Sequence, residues 1–278
     1  MTRKRSATAL LTAAAVLTAV SVTLPLWWVF VSSTRPVNTY LNYMTPLSWK
    51  AFVPVGGDLS NYSGVLSGDF RIALLNSFLV SFLTVILGLA IAVPAAYALA
   101  ALDFPGKTLV FSLVVLTSML PFDAIAIPLS NMFVNWHLGD TYAGLVLPAL
   151  ANGFAIFMLR QFFMGIPREL GEAAELDGVG PVGTLLRIVL PLSRPALIGA
   201  GMMLFLSQWQ AFLWPLLIGT SPERQLAPIA LANLSTLFTV NTGQILAGSF
   251  VLSVIPMVLL LLFQKQYTNS LSTSGLKG

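Results

Sequence analysis

Arg168, Glu169, Glu172, Glu175, Asp177, Arg187 and Arg194 fall close together in a chain that has only 14 basic and 10 acidic residues in all. They surround the run Glu172-Ala173-Ala174-Glu175-Leu176-Asp177-Gly178, which is followed by Leu190-Pro191-Leu192-Ser193-Arg194-Pro195. Pro167 suits the first turn of a helix over about 167–177, because its missing N–H is not needed there. Gly178 suits the left-handed residue that ends such a helix. On that helix Leu170, Ala173, Ala174 and Asp177 share one face, and Glu169, Glu172 and Glu175 drift along the next. Small alanines admit a close partner, and the acids can accept charge-assisted hydrogen bonds from its Arg or Lys. A second short helix can run from Pro181 through Leu185, Leu186 and Ile188 to Pro191, giving a two-helix knob with a glycine elbow. The same residues also suit an amphipathic loop lying on a membrane surface.

A second set of polar residues lies inside apolar stretches. Asp123 is the one carboxylate well within such a stretch, and an Asp at a bilayer centre costs roughly 2.5–3.5 kcal/mol, so it should not face lipid. It either lines a path, binding hydroxyls, an amine or a cation, or caps a helix broken between Pro121 and Pro128. Gln208, Trp209, Gln210 and Phe212 pair amides with aromatic faces, the combination that holds sugars. Asn152 lies at a similar depth, and Asn76 lies nearer the outer end of its stretch. Gln208 and Gln210 are about 200° apart on a continuous helix, so only one of them faces a given cavity. Interhelical hydrogen bonds and core packing are the alternative roles for this set.

Other chemistries find no support in the residues. Ala101 to Thr108 imitate the end of a P-loop but lack its first glycine, which argues against a phosphate cradle. His137 is the only histidine and there is no cysteine, so no metal site is expected. No nucleophile–base pairing is visible, and the chain reads as a non-enzyme.

The elements that must position these residues are apolar helices. The chain is 56% hydrophobic and 9% charged, with a mean hydropathy of +0.85, against about 25% charged residues in soluble domains. It reads as an all-α integral membrane protein and a single domain over 1–278. Six stretches approach the roughly 20 apolar residues that a span needs: about 8–31, 73–100, 108–131, 141–164, 196–219 and 244–264. Arg3-Lys4-Arg5 resembles the start of a signal peptide, but the following apolar run is too long and lacks an evident cleavage site, so it reads as a retained helix. With both termini in the cytoplasm, the inner side carries Arg3, Lys4, Arg5, Lys107, Arg160, Arg168, Arg187, Arg194, Lys265 and Lys277. The outer side then carries Arg35, Lys50, Arg71 and Arg224, which satisfies the positive-inside rule. The net charge of +4 thus reflects membrane topology and offers no case for nucleic acid. The knob becomes a cytoplasmic loop at about 165–195, and residues 34–72 become a partly ordered outer loop. Proline should interrupt all six spans, at Pro25, Pro94, Pro121 with Pro128, Pro148, Pro215 and Pro256.

Glu172-Ala173-Ala174, then Asp177-Gly178 and Leu190-Pro191, resemble the cytoplasmic EAA loop of bacterial ABC importer permeases. Met119-Leu120-Pro121, Ile127-Pro128-Leu129, Leu159-Arg160-Gln161-Phe162-Phe163 and Ile166-Pro167-Arg168-Glu169-Leu170 resemble the carbohydrate-uptake branch, in its maltose-type inner permease subunit. Asn76-Ser77, Phe104-Pro105-Gly106-Lys107, Trp209 to Pro215 and the tail Ser274-Gly275-Leu276-Lys277-Gly278 extend the likeness over almost the whole chain. Two positions depart from it: Val179 stands where the family usually has Ala, and Gln210 where it usually has Asn.

The resemblance implies the type I importer permease architecture in a bacterial plasma membrane, with alternating access for a sugar or sugar-like solute. It implies a sibling permease in a heterodimer, two cytoplasmic ATPase subunits and an extracytoplasmic solute-binding protein. This chain would bind no cofactor, with ATP and Mg held by the ATPases. Carried over by position, Glu172, Ala173, Ala174, Asp177, Gly178, Arg187 and Pro191 belong to the ATPase-coupling loop. In it Glu172 meets a basic group, Ala173 and Ala174 enter a groove and Gly178 forms the elbow; Lys277 and Gly278 approach the same partner. Glycerol phosphates and amino sugars are alternative solutes within the family. An ion-coupled transporter or channel using Asp123, and a docking scaffold that transports nothing, are the rival functions.

Overall fold

The computed structural model describes residues 2–36, 43–44, 46–54, 57–235 and 241–275, with the backbone alone at 2–7, 9 and 266–275. Lys277 and Gly278 of the tail lie outside the described residues. The described chain is nearly all helix, with no strand. Helix α1 (Thr2–Ser33) is followed by a 3-10 turn at Trp49–Phe52, α2 (Ser60–Ser67) and α3 (Asp69–Ala101). Next come α4 (Lys107–Ser118), α5 (Phe122–Asn135), α6 (Tyr142–Leu150) and α7 (Gly153–Phe163). The sequence continues through α8 (Glu169–Leu176), α9 (Pro181–Leu192), α10 (Arg194–Trp209) and α11 (Leu213–Ile218). It closes with α12 (Ala227–Asn233) and α13 (Thr242–Gly275).

Three segments are long and apolar enough to cross a membrane as single helices: Leu10–Ser33, Asp69–Ala101 and Thr242–Lys265. They match the expected stretches 8–31, 73–100 and 244–264. Pro25, Pro94 and Pro256 lie inside these helices without ending them, contrary to expectation. A bundle tolerates a proline where other groups satisfy the freed carbonyl. Pro148, inside α6, shows how: it cannot donate to Gly144 O, and the Trp214 indole N–H donates there instead, at 3.0 Å.

The other expected spans are broken. Between α4 and α5 the axis turns by 93°, because Pro121 is extended (φ −66°, ψ 122°) and disfavours helix at the residue before it. Between α6 and α7 it turns by 44°; Asn152 restarts the helix by accepting the Ala155 N–H at 2.9 Å. The stretch expected at 196–219 divides into α10 and α11 at 210–212, and α9 meets α10 at 84°.

The chain groups into two compact units, Met1–Arg71 with Ala230–Ile255, and Ile72–Ile229 with Pro256–Gly278. In the first, the expected outer loop is largely ordered. Trp27 donates its indole N–H to Phe52 O at 2.9 Å, and Asn61 donates to the carbonyls of Ser33 and Arg35. Phe30 and Tyr62 pack on Phe250, and the buried Arg35 guanidinium donates to the carbonyls of Lys50 and Val53 over the Tyr43 ring.

In the second unit small residues bring α3 and α10 together. Ala92, Ala96, Ala196 and Ala200 are buried in one cluster with Leu204. A Cβ at Gly88 would lie 3.1 Å from Leu204, and one at Gly201 would lie 3.4 Å from Val85. In a membrane, where burial from water does not drive helices together, such close backbone packing does. Two cations close the C-terminal end of α3. Arg160 donates to Leu99 O at 3.0 Å while stacking on Phe111, and Lys107 donates to the carbonyls of Leu102 and Ala100. Both satisfy carbonyls that a helix end leaves open. Lys107, the cation of the P-loop look-alike, is thereby committed to structure.

Candidate functional site

Three of the breaks in the second unit border one cavity of about 430 Å³, within the roughly 300–1,000 Å³ typical of small-molecule sites. The α4–α5 break contributes Thr117, Ser118, Phe122 and Asp123, and the α6–α7 break contributes Ala151, Asn152 and Phe154. The α10–α11 break contributes Ser207, Gln208, Phe212 and Trp214, while Thr84 enters from the unbroken α3. Irregular backbone at membrane depth is stable where it lines a cavity and not where it meets lipid.

Four of the seven expected path residues thus share a cavity: Asp123, Asn152, Gln208 and Phe212. Asp123 is exposed on the cavity wall and lies in the first turn of α5, without a capping hydrogen bond. Asn152 combines a capping bond with a place in the wall. The Gln208 side chain is 5% exposed and its Nε2 has no hydrogen-bond partner; the Thr84 hydroxyl, at 1%, also lacks one. Leaving a buried polar group unpaired costs about 1–3 kcal/mol, so both atoms favour a polar occupant.

The remaining three lie elsewhere. Trp209 is buried between Phe205 and Phe78. Gln210 is exposed at the end of α10 and off the cavity wall; its N–H still bonds Leu206 O at helical spacing, so it points away from the side of Gln208. Asn76 is a strut. Its amide donates to the carbonyls of Glu223 and Gln225 at 2.9 and 3.0 Å, and the Tyr142 hydroxyl donates to its oxygen at 2.8 Å. Beside it the Ser77 hydroxyl accepts the Ala227 N–H, and the Asp140 carboxylate accepts the Ser221 N–H at 2.9 Å. That backbone hydrogen bond, aided by the Arg224 charge, holds Asp140 below the usual carboxylate range. Thr84, Ser207 and Trp214 were missed from sequence. A lone hydroxyl in an apolar helix carries no mark of the face it occupies.

The knob forms as expected, with shifted edges: Pro167 precedes α8, which starts at Glu169. Gly178 has φ +75°, Val179 N–H reaches Ala174 O at 2.8 Å and Gly178 N–H reaches Glu175 O at 3.0 Å, the paired bonds of a Schellman end. Glu172, Ala173, Asp177, Arg187 and Pro191 are exposed, whereas Ala174 is buried in the knob itself. The sequence reading also overlooked exposed apolar residues here: Leu176 at 90%, Val182 at 70% and Leu186 at 57%. The root of the knob is a π turn at Leu185–Val189, which buries Leu185 and Val189 in the cluster containing Val93, Ala96 and Tyr97 of α3. Tyr97 also hydrogen-bonds Thr184. The α3 helix therefore touches the knob root at Tyr97 and the cavity at Thr84, thirteen residues or about 20 Å apart at helical rise.

Residues 84–267 match the family described as the binding-protein-dependent transport system inner membrane component. The chain belongs to that family. It is a multi-pass membrane permease, and the ion-coupled alternative is not favoured. This permease is 33% identical over 260 residues to the trehalose transport system permease protein SugB of Mycobacterium tuberculosis, covering 92% of each chain. It is 37% identical over 204 residues to the arabinooligosaccharides transport system permease protein AraQ of Halalkalibacterium halodurans, covering 73% of each. It is 34% identical over 210 residues to the sn-glycerol-3-phosphate transport system permease protein UgpE of Yersinia pestis, covering 75% of each. The permease fold also matches a chain in the crystal structure of a bacterial ABC transporter involved in the import of the acidic polysaccharide alginate. That match has a TM-score of 0.78 and 22% identity, over 95% of this chain and 96% of the other.

Proposed function

We propose that this permease is one half of a heterodimeric importer for a sugar or sugar-like solute, with six spans and both termini in the cytoplasm. Each broken helix pair serves as one span, and the whole chain acts as a single permease domain. Two cytoplasmic ATPase subunits hold ATP and Mg, and an extracytoplasmic binding protein delivers the solute to the cavity bordered by Asp123, Asn152, Gln208 and Phe212. The sugar and oligosaccharide relatives support the solute class.

The observation that carries the coupling role is the knob, exposed at Glu172, Leu176 and Leu186 and rooted through Leu185 and Val189 against α3. An ATPase gripping the exposed side moves the root, and α3 carries that motion toward Thr84 and the cavity. Glu172, with Asp177, accepts hydrogen bonds from basic groups on the ATPase, and Leu176 and Leu186 add apolar contact. Ala174 serves the packing inside the knob.

Glu172→Lys tests this reading. The chain should insert normally and its ATPase should be lost on purification, or remain bound with binding-protein-stimulated turnover abolished. Unchanged ATPase association and unchanged uptake would overturn the coupling role.

A further inference from the structure

Two helix N-termini border the cavity, those of α5 at Phe122 and Asp123 and of α7 at Asn152 and Gly153. A helix N-terminus presents open N–H groups and positive partial charge, so such ends ordinarily attract anions. Here a side chain of the protein stands at each. The Asp123 carboxylate occupies the first turn of α5, and the Asn152 side-chain oxygen accepts the Ala155 N–H of α7.

Among the described residues Asp123 is the one charged member of the cavity wall; the other polar members are Thr84, Thr117, Ser118, Asn152, Ser207 and Gln208. Thr117 and Ser118 already donate their hydroxyls to carbonyls of α4. Gln208 and Thr84 belong to the wall, and their Nε2 and hydroxyl are buried without a partner. This wall can hold a neutral polyhydroxylated molecule by its oxygens. To a phosphate or carboxylate it offers a like charge and no Lys or Arg, and charges a few ångströms apart interact strongly away from bulk water.

We propose that Asp123 makes this cavity a charge filter, which accepts uncharged polyhydroxylated solutes and rejects their phosphorylated or carboxylated counterparts. The proposal rests on the cavity being the solute path. It separates this permease from a carrier of glycerol phosphate or acidic sugar, even though such carriers stand among its relatives.

The test uses the assembled transporter in nanodiscs without its binding protein, whose own selectivity would mask the effect. Binding of trehalose and trehalose 6-phosphate, matched except for charge, is followed by saturation-transfer NMR. The phosphorylated sugar should bind at least about tenfold more weakly, the scale expected of one poorly screened charge pair. Asp123→Asn should narrow that gap to about threefold or less, and Asp123→Glu, which keeps the charge, should preserve it. Gln208→Ala should weaken both sugars alike. Equal binding of the two sugars to the unmodified transporter, with Gln208→Ala still weakening both, would overturn the filter and leave the path standing; so would a gap that persists in Asp123→Asn. Absence of binding by either sugar, or indifference of both to Gln208→Ala, would overturn the path and the filter together.

Discussion

Replacing Gly153 by Ala should damage this permease out of proportion to one methyl group. Gly153 opens α7 directly against the end of α4, where an added Cβ would stand 2.0 Å from Ser118 Oγ and 2.8 Å from Val114 O. The serine hydroxyl can rotate away, giving up its 2.7 Å bond to Val114 O. The carbonyl cannot move without the backbone of α4. Overpacking of this kind costs about 1–3 kcal/mol, a roughly five- to hundredfold change in the folded-to-unfolded ratio. The displaced segment also forms the cavity wall, so uptake should fall with stability. Reversible unfolding in mixed lipid–detergent micelles would measure the first effect and uptake in proteoliposomes the second. Ser118→Ala in the Gly153→Ala background separates the two contacts: it should recover only part of the loss, with the remainder belonging to the carbonyl. A Gly153→Ala protein within about 0.5 kcal/mol of the parent, the range of an indifferent substitution, would refute the close approach. Complete rescue by Ser118→Ala would refute the backbone contact.

Two further outcomes follow from the strut beside α6. Asn76→Ala removes an amide that bonds two carbonyls and a hydroxyl, and leaving such partners unpaired costs about 1–3 kcal/mol. The same unfolding assay should show that loss while sugar binding to the assembled transporter is retained. At Asp140 the folded state holds the carboxyl below its ordinary value, so its contribution is fully present above the unfolded value near 3.9. It is lost as pH falls through the lower folded value. Protection of the Ser221 amide, measured against its intrinsic exchange rate at each pH, should therefore fall on acidification below about pH 4, and Asp140→Asn should flatten that response.

The helix content and the knob were legible because they have local causes. Apolar runs mark helices, Gly178 marks a left-handed end, and charge in an apolar chain marks a segment outside the membrane. Prolines were less informative. Pro121 ends a helix, whereas Pro25, Pro94, Pro148 and Pro256 do not, and at Pro148 a distant neighbour answers the freed carbonyl. Trp214 illustrates this, since its indole serves Gly144 from seventy residues away. The cavity was half legible for a similar reason. Gln208 and Asp123 are conspicuous as polar residues in apolar surroundings, but the face occupied by Thr84 or Asn76 depends on which helices meet. Of Gln208 and Gln210 only the first lines the cavity, as their separation of about 200° on a helix requires.

The broken helices also constrain how the molecule is made. At 1.5 Å per residue α4 is about 18 Å long, α6 about 14 Å and α7 about 16 Å, all short of the roughly 30 Å hydrocarbon layer. None of them can settle in lipid alone, since its ragged end would leave backbone groups unanswered there. Biogenesis must therefore hold these half-helices in a sheltered place until their neighbours arrive, and the solute cavity is completed late, when the ragged ends come together. Cells short of insertion or chaperone capacity should lose this permease before they lose proteins built from uninterrupted spans.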